Sequence, residues 1–168
     1  MIKKFFVNDF IFYTFYDIMR IKFGKMEKSP LICRSVCVSD TEKAGAELAS
    51  KLKPGDFVAL YGDLGAGKTA FVRGAASVLC SGALVCSPSY AIINRYDGEF
   101  PVYHIDLYRI NDDDDLYSTG YYDLFDNRSV IFCEWCDRCP EAVPDNAIKV
   151  RIDRDGDERI ITIDDTLD

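Results

Sequence analysis

Apolar and polar positions alternate along this chain in two periods, and their order predicts a mixed α/β domain. Leu31 to Val38 reads as an outer strand. Ser39-Asp40-Thr41-Glu42 follows with the form of a capping box, and the helix it opens runs to about Leu52 with Ala44, Leu48 and Leu52 on one face. Lys53 to Asp56 is a turn into Phe57-Val58-Ala59-Leu60-Tyr61, a continuous apolar run of the kind buried on both sheet faces. Ala70 to Leu79 has helical composition. Ser87-Pro88 breaks the chain before a strand at about Tyr90 to Tyr96. Asp97-Gly98 is a hairpin signal, and the returning strand spans about Pro101 to Tyr108. The acidic run Asp112 to Asp115 reads as a solvated helix start, where carboxylates favour the dipole. Ser129 to Glu134 is a short buried strand, Pro140 and Pro144 bracket a loop, and Asn146–Asp153 with Glu158–Ile163 form a terminal hairpin across Asp155-Gly156. The expected fold is one α/β domain over residues 29–168. Its mixed central sheet is flanked by helices and carries β-hairpins.

Between the apolar run and the helix after it lie Gly62-Asp63-Leu64-Gly65-Ala66-Gly67-Lys68-Thr69, a full Walker A sequence, with Ala70 next. A strand, a glycine loop and a helix in that order let backbone N–H groups turn inward around phosphates, with the helix N-terminus behind them. Lys68 reaches the outer phosphates and the Thr69 hydroxyl suits magnesium. The sequence thus points to a nucleoside triphosphate as ligand and to a single-domain P-loop NTPase-like α/β fold.

Such a loop needs an acid near the metal, at the end of an apolar strand. Two positions qualify, Glu134 after Val130-Ile131-Phe132-Cys133 and Asp106 after Val102-Tyr103-His104-Ile105. Period-two alternation places His104, Asp106 and Tyr108 on one strand face and turns Ile105 and Leu107 to the core.

Composition narrows the class. The chain has 168 residues and a net charge of −8, which disfavours a large direct nucleic-acid footprint. Residues 1–28 hold six Lys/Arg against three Asp/Glu, so the remainder carries −11. Seven cysteines, an odd number, fit a reduced cytosolic setting. Cys133, Cys136 and Cys139 read as small buried thiols rather than zinc ligands, and Cys33 and Cys37, four apart on the first strand, read as core. Residues 1–28 form an extension rich in aromatics, Phe5 to Ile18, interrupted by Asn8, Asp9 and Asp17. No membrane span is expected from it. Met26 as the natural start, an interfacial helix, or an element packed on the domain all remain open for this stretch.

The phosphate loop, Ser87-Pro88-Ser89-Tyr90, His104-Ile105-Asp106-Leu107-Tyr108-Arg109 and Glu134-Trp135 occur in order and at suitable spacing. Together they resemble the bacterial TsaE (YjeE-type) family, the ATPase of tRNA threonylcarbamoyladenosine biosynthesis. The resemblance spans about residues 33–163. It implies ATP and Mg2+ as cofactors, with Lys68 on the phosphates and Thr69 and Glu134 on the metal. It implies that Asp106 positions or activates the attacking water. It makes Ser87 to Tyr90 a nucleotide-sensing loop, with Trp135, His104, Tyr108 and Arg109 beside the switch or a partner. Ser89 stands where the family often has threonine, and Ala70 where a second hydroxyl is common. The implied partners are TsaD-like and TsaB-like proteins, with tRNA met only through that complex, in the cytoplasm and with low intrinsic turnover. A small-molecule kinase and a nucleotide-gated binding module share the loop and stand as alternatives; no long arginine-bearing lid is evident after Thr69.

Overall fold

A computed structural model describes residues 30–164, together with the backbone of two short N-terminal strands, β1 (Phe5–Val7) and β2 (Phe10–Phe12). These two pair antiparallel. The rest of residues 1–29, and with it the choice between Met26 as start and an interfacial helix, lies outside the described residues.

Seven strands form one sheet in the order β3-β9-β8-β4-β7-β6-β5. In chain order they are β3 (Leu31–Ser35), β4 (Phe57–Tyr61), β5 (Ile93–Tyr96), β6 (Val102–Asp106), β7 (Val130–Glu134), β8 (Ile148–Asp155) and β9 (Glu158–Asp164). The four inner strands β8, β4, β7 and β6 are mutually parallel; β9 and β5 flank them antiparallel, and β3 pairs antiparallel to β9 at the outer edge. Parallel strands need both faces covered, which is why β4 and β7 are apolar up to the end of each strand, where β7 closes on Glu134. Helices α1 (Val38–Ala49) and α2 (Lys68–Leu79) cover one face, where Leu48, Phe71 and Val72 meet Leu60, Phe132 and Val150. A short helix α3 (Asp113–Ser118), the single turn Tyr121–Leu124 and the segment after β7 cover the other, where Leu116 and Tyr121 meet Ala59, Ile105 and Cys133.

Three expected boundaries move, each for a local reason. The first helix begins at the N-cap Cys37, not at Ser39, because Asp40 rather than Glu42 accepts the free backbone groups: Val36 N and Cys37 N donate to its Oδ2 at 2.9 and 3.2 Å. Cys37 is therefore exposed at a helix start and Cys33 only half-buried, so neither is the core thiol expected. The β5 strand starts at Ile93 because residues 88–92 turn, closed by Ile92 N donating to Pro88 O at 2.6 Å with Ile92 at φ 65. Tyr90 projects from that turn and is 87% exposed. The β6 strand ends at Asp106 because its own Oδ1 accepts Tyr108 N at 3.0 Å, which pulls Tyr108 out of the ladder. The acidic run does start a helix: Asp112 caps α3, with Asp115 N donating to its Oδ1 at 2.8 Å.

Helices α1 and α2 cross in backbone contact. A Cβ on Gly74 would lie 1.8 Å from Glu42 O, and one on Gly45 would lie 2.0 Å from Phe71 O. Neither atom can yield without parting the helices. Gly74→Ala is expected to destabilise the fold by about 1–3 kcal/mol, the cost of overpacking a tight site, despite alanine's better helix propensity. Urea unfolding checks this; an unchanged midpoint would mean that the crossing is loose.

Candidate functional site

The carboxyl ends of β4, β7 and β6 lie side by side, and the candidate chemistry collects there, outside the strand ends as in open α/β sheets. Register decides the arrangement. Leu60 pairs Glu134 and Asp106 pairs Glu134, so the two acids are direct neighbours on adjacent parallel strands, one step from the strand that feeds the loop. Both point to the α2 face, as do His104 and Phe132, and both are buried, at 2% and 3% exposure.

The loop from Gly62 to Gly67 leads directly into α2, whose first residues are Lys68 and Thr69. Gly62 is held at φ 136 against Ile152 O, which a Cβ would approach to 2.3 Å, so only glycine lets the loop leave the sheet here. Lys68 folds back into the loop: its Nζ donates to Gly62 O at 2.6 Å and Asp63 O at 3.1 Å. Burial pushes its ammonium below the ordinary lysine value, while the charges of Glu134 and Asp106 hold it up. The Trp135 ring lies under the same ammonium, 3.8 Å to the centroid. Trp135 occupies the left-handed region at φ 62, which costs a bulky residue about 1–3 kcal/mol. The ring is pinned between Lys68 and Tyr108, whose own ring is 4.9 Å away.

Glu134 gathers two groups on one oxygen. Thr69 Oγ1 donates to Oε1 at 2.8 Å, and His104 Nε2 lies 2.8 Å from the same atom. Among the described residues none donates to Oε2. A carboxylate and a hydroxyl oxygen, side by side at the first turn of the helix after the loop, are the hard donors magnesium prefers, so these residues fit that ion. Asp106 gathers the loop of residues 87–90: Ser87 Oγ and Ser89 Oγ both donate to its Oδ2, at 2.9 and 2.6 Å. The hydroxyl of Ser89 is thus used, as a threonine's would be. Pro88 sets the turn between them, and Ala70 has no polar part to play.

Outside this centre the exposed aromatics carry arginines. Arg109 stacks over Tyr90 at 4.3 Å, and Arg138 donates to Tyr108 O at 3.0 Å. Tyr108 is 44% exposed and Tyr90 more so, whereas His104 is wholly buried. His104 therefore has no surface to offer a partner, contrary to the partner half of its expected place, and its Nε2 meets Glu134 instead.

Sequence reading missed the other wall of the loop. Arg154 Nη2 donates to Leu64 O at 3.1 Å and Arg159 Nε to Ala66 O at 3.2 Å, so the terminal hairpin braces the loop from outside. Beside Gly65–Gly67 opens a cavity of about 240 Å³ between Arg159, Thr41 and the turn of residues 35–38. No local motif marks Arg154 or Arg159. Only the β9-β8-β4 strand order brings them to the loop. Cys133, Cys136 and Cys139 are buried, and burial pushes the Cys133 thiol well up. Among the described residues no three His, Cys, Asp or Glu side chains are grouped to hold a metal.

A parallel strand feeding a glycine loop into a helix, with acids ending the neighbouring strands, defines the P-loop NTPase class of fold. Comparison with known proteins narrows this. The family described as "Threonylcarbamoyl adenosine biosynthesis protein TsaE" matches residues 36–161, and the chain belongs to the TsaE family. The tRNA threonylcarbamoyladenosine biosynthesis protein TsaE of Bacillus subtilis (strain 168) is 39% identical over 131 residues, covering 77% of this chain and 82% of that one. The protein of the same name from Treponema pallidum (strain Nichols) is 31% identical over 130 residues, covering 76% and 96%. The crystal structure of Bacillus subtilis YdiB superposes with a TM-score of 0.69 at 36% identity, covering 83% of this chain and 87% of that one.

Proposed function

We propose that this protein is the ATP-binding and ATP-hydrolysing component of tRNA threonylcarbamoyladenosine biosynthesis, acting in the cytoplasm on a complex of TsaD-like and TsaB-like proteins. The observation that carries the reading is the pairing of Asp106 and Glu134 across the β6–β7 register, with the phosphate loop on one side and the serine loop on the other. Gly62 to Thr69 cradle the phosphates, and Lys68 exchanges its two loop carbonyls for phosphate oxygens. The cavity beside Arg159 and Thr41 takes the nucleoside end, because it opens along the loop away from the acids.

Thr69 and Glu134 would hold magnesium, which would neutralise charge developing on the transferred phosphoryl group. Asp106 places the attacking water. In this structure both its oxygens are engaged, Oδ1 by Tyr108 N and Oδ2 by the two serines. A water placed on Oδ2 would displace one of the two serines there, so the position of the 87–90 loop and the readiness of that oxygen change together. That coupling makes the loop a switch and accounts for low turnover by the protein alone.

Tyr90, Arg109, Tyr108 and Arg138 form an aromatic and arginine surface next to this switch, of the composition that anchors protein interfaces. The remainder of the chain is acidic, so tRNA is met through the partner complex. The expected result is ATP-dependent co-purification with TsaD-like and TsaB-like proteins, and phosphate release that rises when they are added. Trp135→Ala is expected to weaken the association, and a chain starting at Met26 to retain it. Absence of association in every nucleotide state, with phosphorylation of a small metabolite instead, would replace this reading with a kinase.

A further inference from the structure

We propose that His104 is a positioning residue that holds the Glu134 carboxylate in place for the metal through Oε1, leaving Oε2 free. The inference rests on the reading of Glu134 as a metal ligand and adds to it the group that orients the ligand.

His104 is the chain's one histidine. It sits in the middle of β6, 0% exposed, beside Phe132 in the register and 6.4 Å from the Tyr96 ring. Its Nε2 is 2.8 Å from Glu134 Oε1. Its Nδ1 is buried and has no hydrogen-bond partner. Buried polar groups are nearly always paired, so an imidazole with one nitrogen bare is retained for what the other nitrogen does. Toward a carboxylate oxygen, Nε2 is the donor and carries a proton.

Thr69 shares Oε1 at the same distance. A cation would take a lone pair of the Thr69 oxygen, and that hydroxyl rotates freely, whereas the His104 donor is fixed in direction. The imidazole is locked in the sheet, so the carboxylate keeps one orientation in both states. Removing an orienting partner of this kind typically costs 10–100-fold in metal affinity.

Binding of Mn2+ in the presence of ADP, followed by electron paramagnetic resonance, reads this without turnover. His104→Leu fills most of the space without a donor and is expected to weaken Mn2+ binding about 10–100-fold, with ADP affinity in the absence of metal unchanged. His104→Gln keeps an N–H near the Nε2 position and is expected to recover most of the loss. In the unaltered protein, long-range 15N–1H correlation on labelled histidine gives one set of signals, since there is one ring. It is expected to show a protonated Nε2. Wild-type Mn2+ affinity in His104→Leu, equal loss of ADP affinity with and without metal, or the Nδ1–H tautomer would each overturn the proposal. Glu134→Gln separates the two levels. Wild-type Mn2+ affinity in that variant removes Glu134 as ligand and this proposal with it. A metal defect there without one in His104→Leu defeats the positioning role alone.

Discussion

Lys68→Ala yields a folded protein whose ATP affinity drops by about tenfold to more than a hundredfold, the 1.5–3 kcal/mol of a hydrogen bond to a charged group. On the affinity side, Lys68 is the one side-chain cation the loop encloses, and its partners now are two backbone carbonyls that a phosphate replaces. On the stability side, its ammonium sits in a place where burial pushes its pKa down. A lysine whose folded pKa is lowered costs stability at neutral pH, and that cost is relieved as pH rises through the folded value toward the unfolded one. Alanine removes the cost, which offsets the lost contact with Trp135. Thermal unfolding and calorimetry together check the pair of outcomes. Near-normal ATP affinity in a folded variant would remove Lys68 from the phosphate site.

The second large effect separates the neighbouring acids. Glu134→Ala is expected to abolish the magnesium dependence of nucleotide binding and also to destabilise the fold. Thr69 and His104 both lose their acceptor, and His104 is then buried without a partner on either nitrogen, a penalty of about 1–3 kcal/mol. Asp106→Ala is expected to keep ATP binding and to lower hydrolysis by about 10²–10⁴-fold, the usual contribution of a positioned acid or base. Its structural cost is smaller because the Ser87 and Ser89 hydroxyls, 2.7 Å apart, are free to hydrogen-bond to each other once the carboxylate is gone. Calorimetry with and without magnesium, beside phosphate release, distinguishes the two. Equal loss of binding in both variants would show that the division of roles is wrong, and normal hydrolysis by Asp106→Ala would take that residue out of the water step.

Both experiments bear on residues that were legible one strand at a time. The alternation Val102 to Asp106 put His104 and Asp106 on one face, and the apolar run before Glu134 marked it as a strand end; both readings hold in the structure. Tyr108 escaped because an aspartate side chain competing for backbone N–H groups ends the strand two residues early. Tyr90 escaped because the residues after Pro88 close a turn instead of extending. The first helix caps at Cys37 rather than at the expected Ser39 because two overlapping caps, Cys37 with Asp40 and Ser39 with Glu42, are available, and which one forms depends on where β3 leaves the sheet.

By itself the sequence determined the phosphate loop, the order of elements and the identity of the two acids. These rest on short-range rules: glycines where the backbone must turn, apolar runs where both faces are covered, and period-two alternation within a strand. Tertiary structure decided the rest. Strand order put Asp106 and Glu134 in register and brought the arginines of the last hairpin to the loop, although Leu64 and Arg154 are far apart along the chain. Burial decided that His104 turns inward to Glu134 rather than outward to a partner. No local pattern encodes these outcomes, because each is the result of which strands pair, and pairing is set by the whole core rather than by any one segment.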